Sequence, residues 1–247
     1  MIKALIERLR QKERTIEFPG GTPVLPERFR GLPAFGAGRL PAGSPAQCPV
    51  GAISEDGPVL LDLGKCIFCG RCEKFSGGAI SFGRDYRLAV SDRRSLLHRG
   101  GELALARALD EKSRAIFGRS LKLRQVSAGG CNACEADVNV LGTPVFDLGR
   151  FGVQFVASPR HADGLLITGP VTKNMESALR ATYDAVPEPK IVIAAGACAI
   201  SGGIYSGHAE TRGIPADIPV SLYIPGCPPH PLTILDGILR LLGKINR

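Results

Sequence analysis

From residue 119 onward the chain alternates short apolar runs with amphipathic stretches. Residues 121–127, 153–157, 164–168, 191–195 and 220–224 read as strands, and 133–141, 174–186 and 231–242 as helices between or after them. Strands alternating with helices predict a parallel sheet covered on both faces. Ahead of this region the pattern is different. Ile2, Leu5, Ile6 and Leu9 follow an i, i+3, i+4, i+7 spacing that predicts a short helix over residues 1–14. Residues 18–47 are rich in Gly and Pro without periodicity and read as an extended arm. Residues 48–92 carry four cysteines in a small unit. Between them and the sheet region, Leu96, Leu97, Leu103, Ala104, Leu105 and Leu109 in a charged background predict a helical linker over 93–118.

Composition narrows the function classes. The apolar share is 44%, that of an ordinary soluble protein. No apolar run reaches the length of a membrane-spanning helix, and the longest candidate, 191–204, is interrupted by Gly196, Gly202 and Gly203. The first residues show no continuous hydrophobic stretch and no small-residue cleavage site, so no secretory signal is expected. A cytoplasmic location follows, and there eight cysteines are better explained by metal ligation than by disulfides. The net charge is +8, densest at Lys3, Arg8, Arg10, Lys12 and Arg14. With no Trp, four Tyr and no run of basic residues, nucleic acid is not an expected partner. A membrane surface or a protein partner fits the charge better, and the N-terminal helix reads either as interfacial or as packed on its own domain.

The cysteines fall into two sets of four. Cys66-Ile-Phe-Cys69-Gly-Arg-Cys72 is the C-x2-C-x2-C core of a bacterial ferredoxin ligand run, in which three thiolates on one loop wrap three iron corners of a cube. The fourth ligand in such proteins comes from a remote Cys followed by Pro, here Cys48-Pro49. A complete two-cluster run would also need cysteines at 38, 41, 44 and 76. Those positions hold Gly38, Pro41, Ser44 and Ser76, which are the four ligands of one cluster. One cluster has been lost whole and one retained. The matching turns Val50-Gly-Ala-Ile53-Ser54 and Gly77-Gly-Ala-Ile80-Ser81 preserve the repeat. A zinc site is the competing reading, since C-x2-C is also a zinc spacing.

Cys131-Asn-Ala-Cys134, Cys198 and Cys227 form the second set. Each follows a predicted strand, and loops at the carboxyl ends of parallel strands converge on one edge of the sheet. Gly129-Gly130, Gly202-Gly203 and Pro225-Gly226 let backbone approach the bound group closely. Glu135, Asp137, Arg160 and His161 accompany this set. Glu135, Asp137 and His161 are candidates for a proton relay, against the plainer alternatives of helix cap, surface charge or loop anchor.

With these residues placed, 125–242 resembles the small, cluster-bearing subunit of membrane-bound group 4 [NiFe] hydrogenases of the formate hydrogenlyase type. That subunit is homologous to the 20 kDa subunit of complex I, the NADH-quinone oxidoreductase. The matching segments are Gly130-Cys131-Asn-Ala-Cys134, Ser158-Pro-Arg-His-Ala-Asp163, Gly196-Ala-Cys198-Ala-Ile-Ser-Gly-Gly203 and Tyr223-Ile-Pro-Gly-Cys-Pro-Pro229. Residues 1–90 resemble the ferredoxin-type (23 kDa-like) subunit of the same complexes, through Phe29-Arg-Gly31, Leu63-Gly-Lys-Cys-Ile-Phe-Cys-Gly-Arg-Cys72 and Tyr86-Arg-Leu-Ala-Val90.

The resemblance implies an α/β fold: a flavodoxin-like parallel-sheet domain over 119–247, with a smaller N-terminal α+β ferredoxin-like domain over 1–92. It also implies two [4Fe-4S] clusters, held by Cys48, Cys66, Cys69 and Cys72 and by Cys131, Cys134, Cys198 and Cys227. The implied role is electron transfer, without a catalytic site on this chain, in an oxidoreductase complex. The implied partners are a hydrogenase large subunit (complex I 49 kDa-like), membrane-anchor subunits and further iron–sulfur carriers. The expected place is the cytoplasmic side of the membrane, peripherally bound. Complex I has adjacent cysteines at the first motif, so Cys131-x-x-Cys134 points to the hydrogenase side. Asp137 stands where the family usually has Glu. A quinone-linked or nickel-free relative with the same relay role, and a zinc-binding interaction module, are the alternatives.

Overall fold

A computed structural model describes residues 2–38, 40–54 and 59–245; Met1, where the predicted N-terminal helix begins, lies outside them. In chain order the strands are β1 (Pro33–Phe35), β2 (Ile53–Ser54), β3 (Leu60–Asp62), β4 (Ile80–Phe82), β5 (Leu97–His98), β6 (Leu121–Ser127), β7 (Val153–Phe155), β8 (Gly164–Thr168), β9 (Ile191–Ala195) and β10 (Leu222–Ile224). The helices are α1 (Ile2–Gln11), α2 (Arg71–Phe75), α3 (Glu111–Phe117), α4 (Ala133–Asn139), α5 (Lys173–Ala185), α6 (Ala197–Ser201) and α7 (Pro231–Leu241).

Strands β6 to β10 form one parallel sheet in the order β10-β9-β8-β6-β7. Numbered from β6, that order is 2-1-3-4-5 read from the other edge, the flavodoxin-like arrangement with its switch point between β6 and β8. The central strands explain themselves. Gly-Leu-Leu-Ile-Thr of β8 and Ile-Val-Ile-Ala-Ala of β9 are buried at every position, as strands covered on both faces must be. One face packs on α7 and α4, burying Leu121, Leu123, Leu166 and Ile193. The other packs on α5, burying Leu165, Ile167 and Val192 beside Leu179.

The N-terminal unit is built from two small antiparallel sheets, β1 with β4 and β2-β3-β5. Its core gathers Leu40, Ile53, Leu61, Leu63, Ile80 and Leu96 around Cys66 and Cys72. Of the four positions from which cysteine is missing, Gly38 and Pro41 are exposed and the two serine positions are filled in by protein. Ser44 and Ser76 are buried, Ser44 Oγ donating to Pro41 O and Ser76 Oγ accepting from Ile80 N, while Leu40 fills the core between them.

The 93–118 segment departs from expectation. Helix is confined to a single 3-10 turn at Arg93–Leu96 and to α3; residues 99–110 are extended. Strand β5 follows that turn, and Gly100 and Gly101 after it both adopt positive φ, +104° and +77°, which turns the chain away as a strap. Ala106 N donates to Ala89 O and Leu109 N to Leu241 O. The apolar residues of this run serve two cores rather than one helix face: Leu103 packs on the N-terminal unit, and Ala106 and Leu109 pack on the sheet domain.

Two straps thus cross α7. Val90 pairs antiparallel with Tyr223 and extends the β10 edge of the sheet. All eleven residues of α7 are buried, including the ion pair of Asp236 and Arg240 at 2.7 Å. A Cβ on Gly237 would stand 2.5 Å from Ala89 Cβ, so glycine is what lets the strap close onto the helix. The replacement Gly237→Val is expected to lower the unfolding free energy by about 1–3 kcal/mol despite valine's better helix propensity. Denaturant unfolding reads this as a shifted midpoint; an unchanged midpoint would show that the strap does not press on α7.

Candidate metal centres

Cys66 and Cys69 are presented by the turn between β3 and α2, and Cys72 by the first turn of α2. Asp62 organises the start of the β3–α2 turn: its carboxylate accepts from Gly64 N at 2.9 Å and from Arg93 at 2.8 Å, while its carbonyl receives Cys66 N. Phe68 and Gly70 both take left-handed backbone, at φ +52° and +72°, which curls the loop inward. Cys48 faces this loop from the turn ahead of β2. The four sulfurs line one hollow with Pro49, Val50, Ile53, Phe75 and Phe82. Backbone amides already point at two of them, Ala52 N to Cys48 Sγ and Phe68 N to Cys66 Sγ, each at 3.3 Å.

The second set gathers at the carboxyl edge of the parallel sheet. Cys131 and Cys134 lie at the start of α4 after β6, Cys198 on α6 after β9, and Cys227 in the loop after β10. Ala197 N bonds Gly226 O at 2.7 Å and Gly196 N bonds Ile224 O at 2.8 Å, which ties the last two loops together. Glycine is required here by contact. A Cβ on Gly196, at φ +92°, would lie 2.6 Å from Cys134 Sγ, and one on Gly203, at φ +54°, would lie 2.9 Å from Cys198 Sγ.

Electrostatics show that each set acts as a group. Burial, followed by the neighbouring thiolates, pushes Cys66 up to about 12 and Cys72 up to about 11. In the second set, burial and then Glu135 and the other three cysteines push Cys134 up to about 12, and burial, Cys227 and Cys131 push Cys198 up to about 11. For Cys66 a rise of that size means roughly 4 kcal/mol against the thiolate. Such pockets reject a bare cluster of anions and suit a bound cation, whose charge reverses the sign of every one of these interactions. Among the described residues no group of three His, Cys, Asp or Glu side chains is already gathered as a metal site.

The loops that carry the two sets border a common cleft. This cleft, of about 270 Å³, is lined by Ile67 and Phe68 of the first cysteine loop and by 225–229, Cys227 among them, of the second. Asp137 and His230 border the same cleft, with Phe29 stacked edge-on against the His230 ring at 5.3 Å.

The acid and base candidates separate. Asp137 is half-buried at the cleft, and burial raises its carboxyl. Burial works the same way on Glu135, but the hydroxyls of Ser127 and Thr168 and its own amide outweigh it and hold the group below the usual carboxylate range. His161 and Arg160 lie on a turn leading into the amino end of β8, where Asp163 bonds Lys122 at the start of β6. They belong to the edge of the sheet opposite the cysteines, so His161 has no part in a relay at this site. The Ser158–Asp163 motif bends the chain back into the sheet. Sequence reasoning misses His230. It precedes Pro231 as the N-cap of α7 and accepts Leu232 N through Nδ1, and its position three residues after Cys227 is the available signal.

Comparison with known proteins agrees with this geometry. The family model for the NADH ubiquinone oxidoreductase 20 kDa subunit matches residues 131–241. The chain is 45% identical over 133 residues to the probable membrane-bound hydrogenase subunit mbhJ of Pyrococcus furiosus, covering 53% of this chain and 79% of that one. It is 43% identical over 118 residues to an NADH-quinone oxidoreductase subunit of Desulfovibrio desulfuricans, covering 48% and 64%. It is 44% identical over 130 residues to formate hydrogenlyase subunit 7 of Escherichia coli, covering 52% and 51%, so it spans about half the length of that relative.

Iron-free protein provides a test of the thiol environments. At neutral pH, exposed Cys69, Cys131 and Cys227 are expected to alkylate first and Cys66 and Cys134 last, followed by mass spectrometry. Because the folded thiols titrate above their unfolded value, the stability they preserve is present below about pH 9 and falls as pH rises toward 12. Equal labelling of all eight cysteines in folded protein would contradict this.

Proposed function

The chain belongs to the NADH ubiquinone oxidoreductase 20 kDa subunit family, and on that footing we propose that it is an electron relay carrying two [4Fe-4S] clusters in a membrane-bound hydrogenase complex of the group 4 type. Membership makes it a subunit of an iron–sulfur oxidoreductase; the second cluster, the ligands and the partners are our reading.

Cys48, Cys66, Cys69 and Cys72 would hold the first cluster and Cys131, Cys134, Cys198 and Cys227 the second. The observation that supports the proposal best is the cleft bordered by both cysteine-bearing loops, Ile67 and Phe68 of the first and Pro225–Pro229 of the second, which brings the two sites near one another. Each cluster supplies one-electron storage between its iron and sulfide atoms. The chain's own residues do the rest. Backbone amides at Ala52 and Phe68 bond the Cys48 and Cys66 sulfurs, and such bonds help set a cluster's potential. Apolar Ile53, Phe75 and Phe82 line the first site, and Phe68 and the Pro225–Pro229 loop border the cleft beside both loops.

Exposed Cys131 and Cys227 leave the second cluster open at the sheet edge, the side on which a catalytic large subunit would dock. The Cys131-x-x-Cys134 spacing favours a hydrogenase large subunit over a quinone-linked one; the relatives include hydrogenase and NADH-quinone oxidoreductase subunits at nearly equal identity. Further iron–sulfur carriers would exchange electrons at exposed Cys69.

Helix α1 supports peripheral attachment to a membrane. None of its residues is buried, Ile2, Leu5 and Leu9 are 75%, 65% and 72% exposed, and basic residues flank them. That is the make-up of a helix lying in an interface beside a membrane-anchor subunit. No helix among the described residues is long and apolar enough to cross the bilayer.

Anaerobically purified protein is expected to contain about eight irons per chain, two cubes of four, and to show two reduced-cluster EPR signals. Cys48→Ser should abolish one signal and Cys227→Ser the other. A colourless protein with stoichiometric zinc, or iron unchanged by Cys48→Ser, would contradict the assignment. Flotation with anionic phospholipid vesicles is expected to retain the full chain and to fail after Leu5→Glu with Leu9→Glu; equal flotation of both would remove α1 from the account.

A further inference from the structure

Glu135 follows Cys134 directly on the first turn of α4 and is 5% exposed. Its Oε1 accepts two hydrogen bonds, from Ser127 Oγ and from Thr168 Oγ1, each at 2.6 Å. Ser127 is the last residue of β6 and Thr168 the last of β8, and the two are register partners in the sheet. These strands flank the switch point, where the two halves of the sheet part and a ligand pocket opens. A single oxygen therefore joins both strand ends to the helix whose start carries Cys131 and Cys134.

Backbone bonds hold the chain just ahead of that helix, Ala128 N to Thr168 O and Thr172 N to Ala128 O, but its first turn lacks a side-chain cap. Asn132 occupies the N-cap in left-handed conformation and makes no capping bond through its side chain. Gly129 stands at φ +89°, and a Cβ on Gly130 would meet the Gly169 backbone at 3.0 Å, so neither position admits a side chain that could substitute. Both hydroxyls donate to the same oxygen, which suits an anchor; the Val126 carbonyl, at 3.4 Å, is the longer alternative acceptor for Thr168 Oγ1.

We propose that Glu135 is the positioning residue of the second cluster: by clamping α4 to the ends of β6 and β8 it holds Cys131 and Cys134 at the spacing that Cys198 and Cys227 require. This rests on the two-cluster reading above. Cys198 and Cys227 are fixed independently by the bonds between the β9 and β10 loops, so loosening the clamp displaces only half of the ligand set.

The test uses the full chain, purified anaerobically, with EPR spectra and redox titration of each cluster. Glu135→Gln keeps an oxygen acceptor and is expected to retain both signals. Glu135→Leu should retain the first cluster while the second loses its signal several-fold, or shifts its reduction equilibrium at least tenfold, about 59 mV for one electron. The double variant Ser127→Ala with Thr168→Val keeps the carboxylate, removes both donors and should reproduce the effect; it decides the matter if Glu135→Leu does not fold. A second cluster with parental lineshape and midpoint in either variant would overturn the proposal, as would Glu135→Gln failing as Glu135→Leu does. A parent protein without a second signal would instead refute the two-cluster reading.

Discussion

The burial of α7 between the sheet and the extended straps is the contact on which the rest depends. The helix begins four residues after Cys227, at the end of the loop that presents this thiol, and its opposite face is covered by the strand-like chain leaving the first cysteine unit. Gly237 against Ala89, Val90 against Tyr223 and Leu109 against Leu241 close that interface over its length. Electron transfer falls steeply with distance, so a relay must hold its two ends at a fixed separation. A flexible tether between two independently folded units would not do so, whereas a shared buried helix does. Asp236 and Arg240 add directionality to this packing: a buried pair is poor at stabilising a fold but strict about its partners, and Asp85 and Arg87 of the strap lie within their electrostatic reach.

Much of the sheet is legible in the sequence because its chemistry is local. Strands such as Ile191–Ala195 announce themselves as unbroken apolar runs, and helices such as α5 by their period. The loops that carry the second set lie at the carboxyl edge of the sheet, as the strand order requires. The 93–118 segment misleads for an equally local reason. Its leucines and alanines recur at about helical intervals, yet their partners are Ala89 and α7, far away in sequence or in the other unit. Only the paired glycines at 100 and 101 hint at a break.

The candidates for proton handling separate along the same line. Nothing in a one-dimensional pattern distinguishes Glu135 from Asp137, which are neighbours on one short helix. Three dimensions give them opposite environments: Glu135 turns inward to Ser127 and Thr168, Asp137 opens on the cleft beside His230. His161 is drawn in by its motif, and that motif serves the return of the chain to the far edge of the sheet. Long-range hydrogen bonding decides such roles, and it leaves no trace in spacing.

If one rigid chain holds two four-iron clusters across a single cleft, the reduced clusters must sense each other magnetically. Pulsed EPR on the fully reduced protein measures that coupling. Dipolar broadening of both signals is expected, with each sharpening to an isolated spectrum when the other cluster is removed through Cys48→Ser or Cys227→Ser. Two signals that never couple, or one cluster only, would contradict the relay.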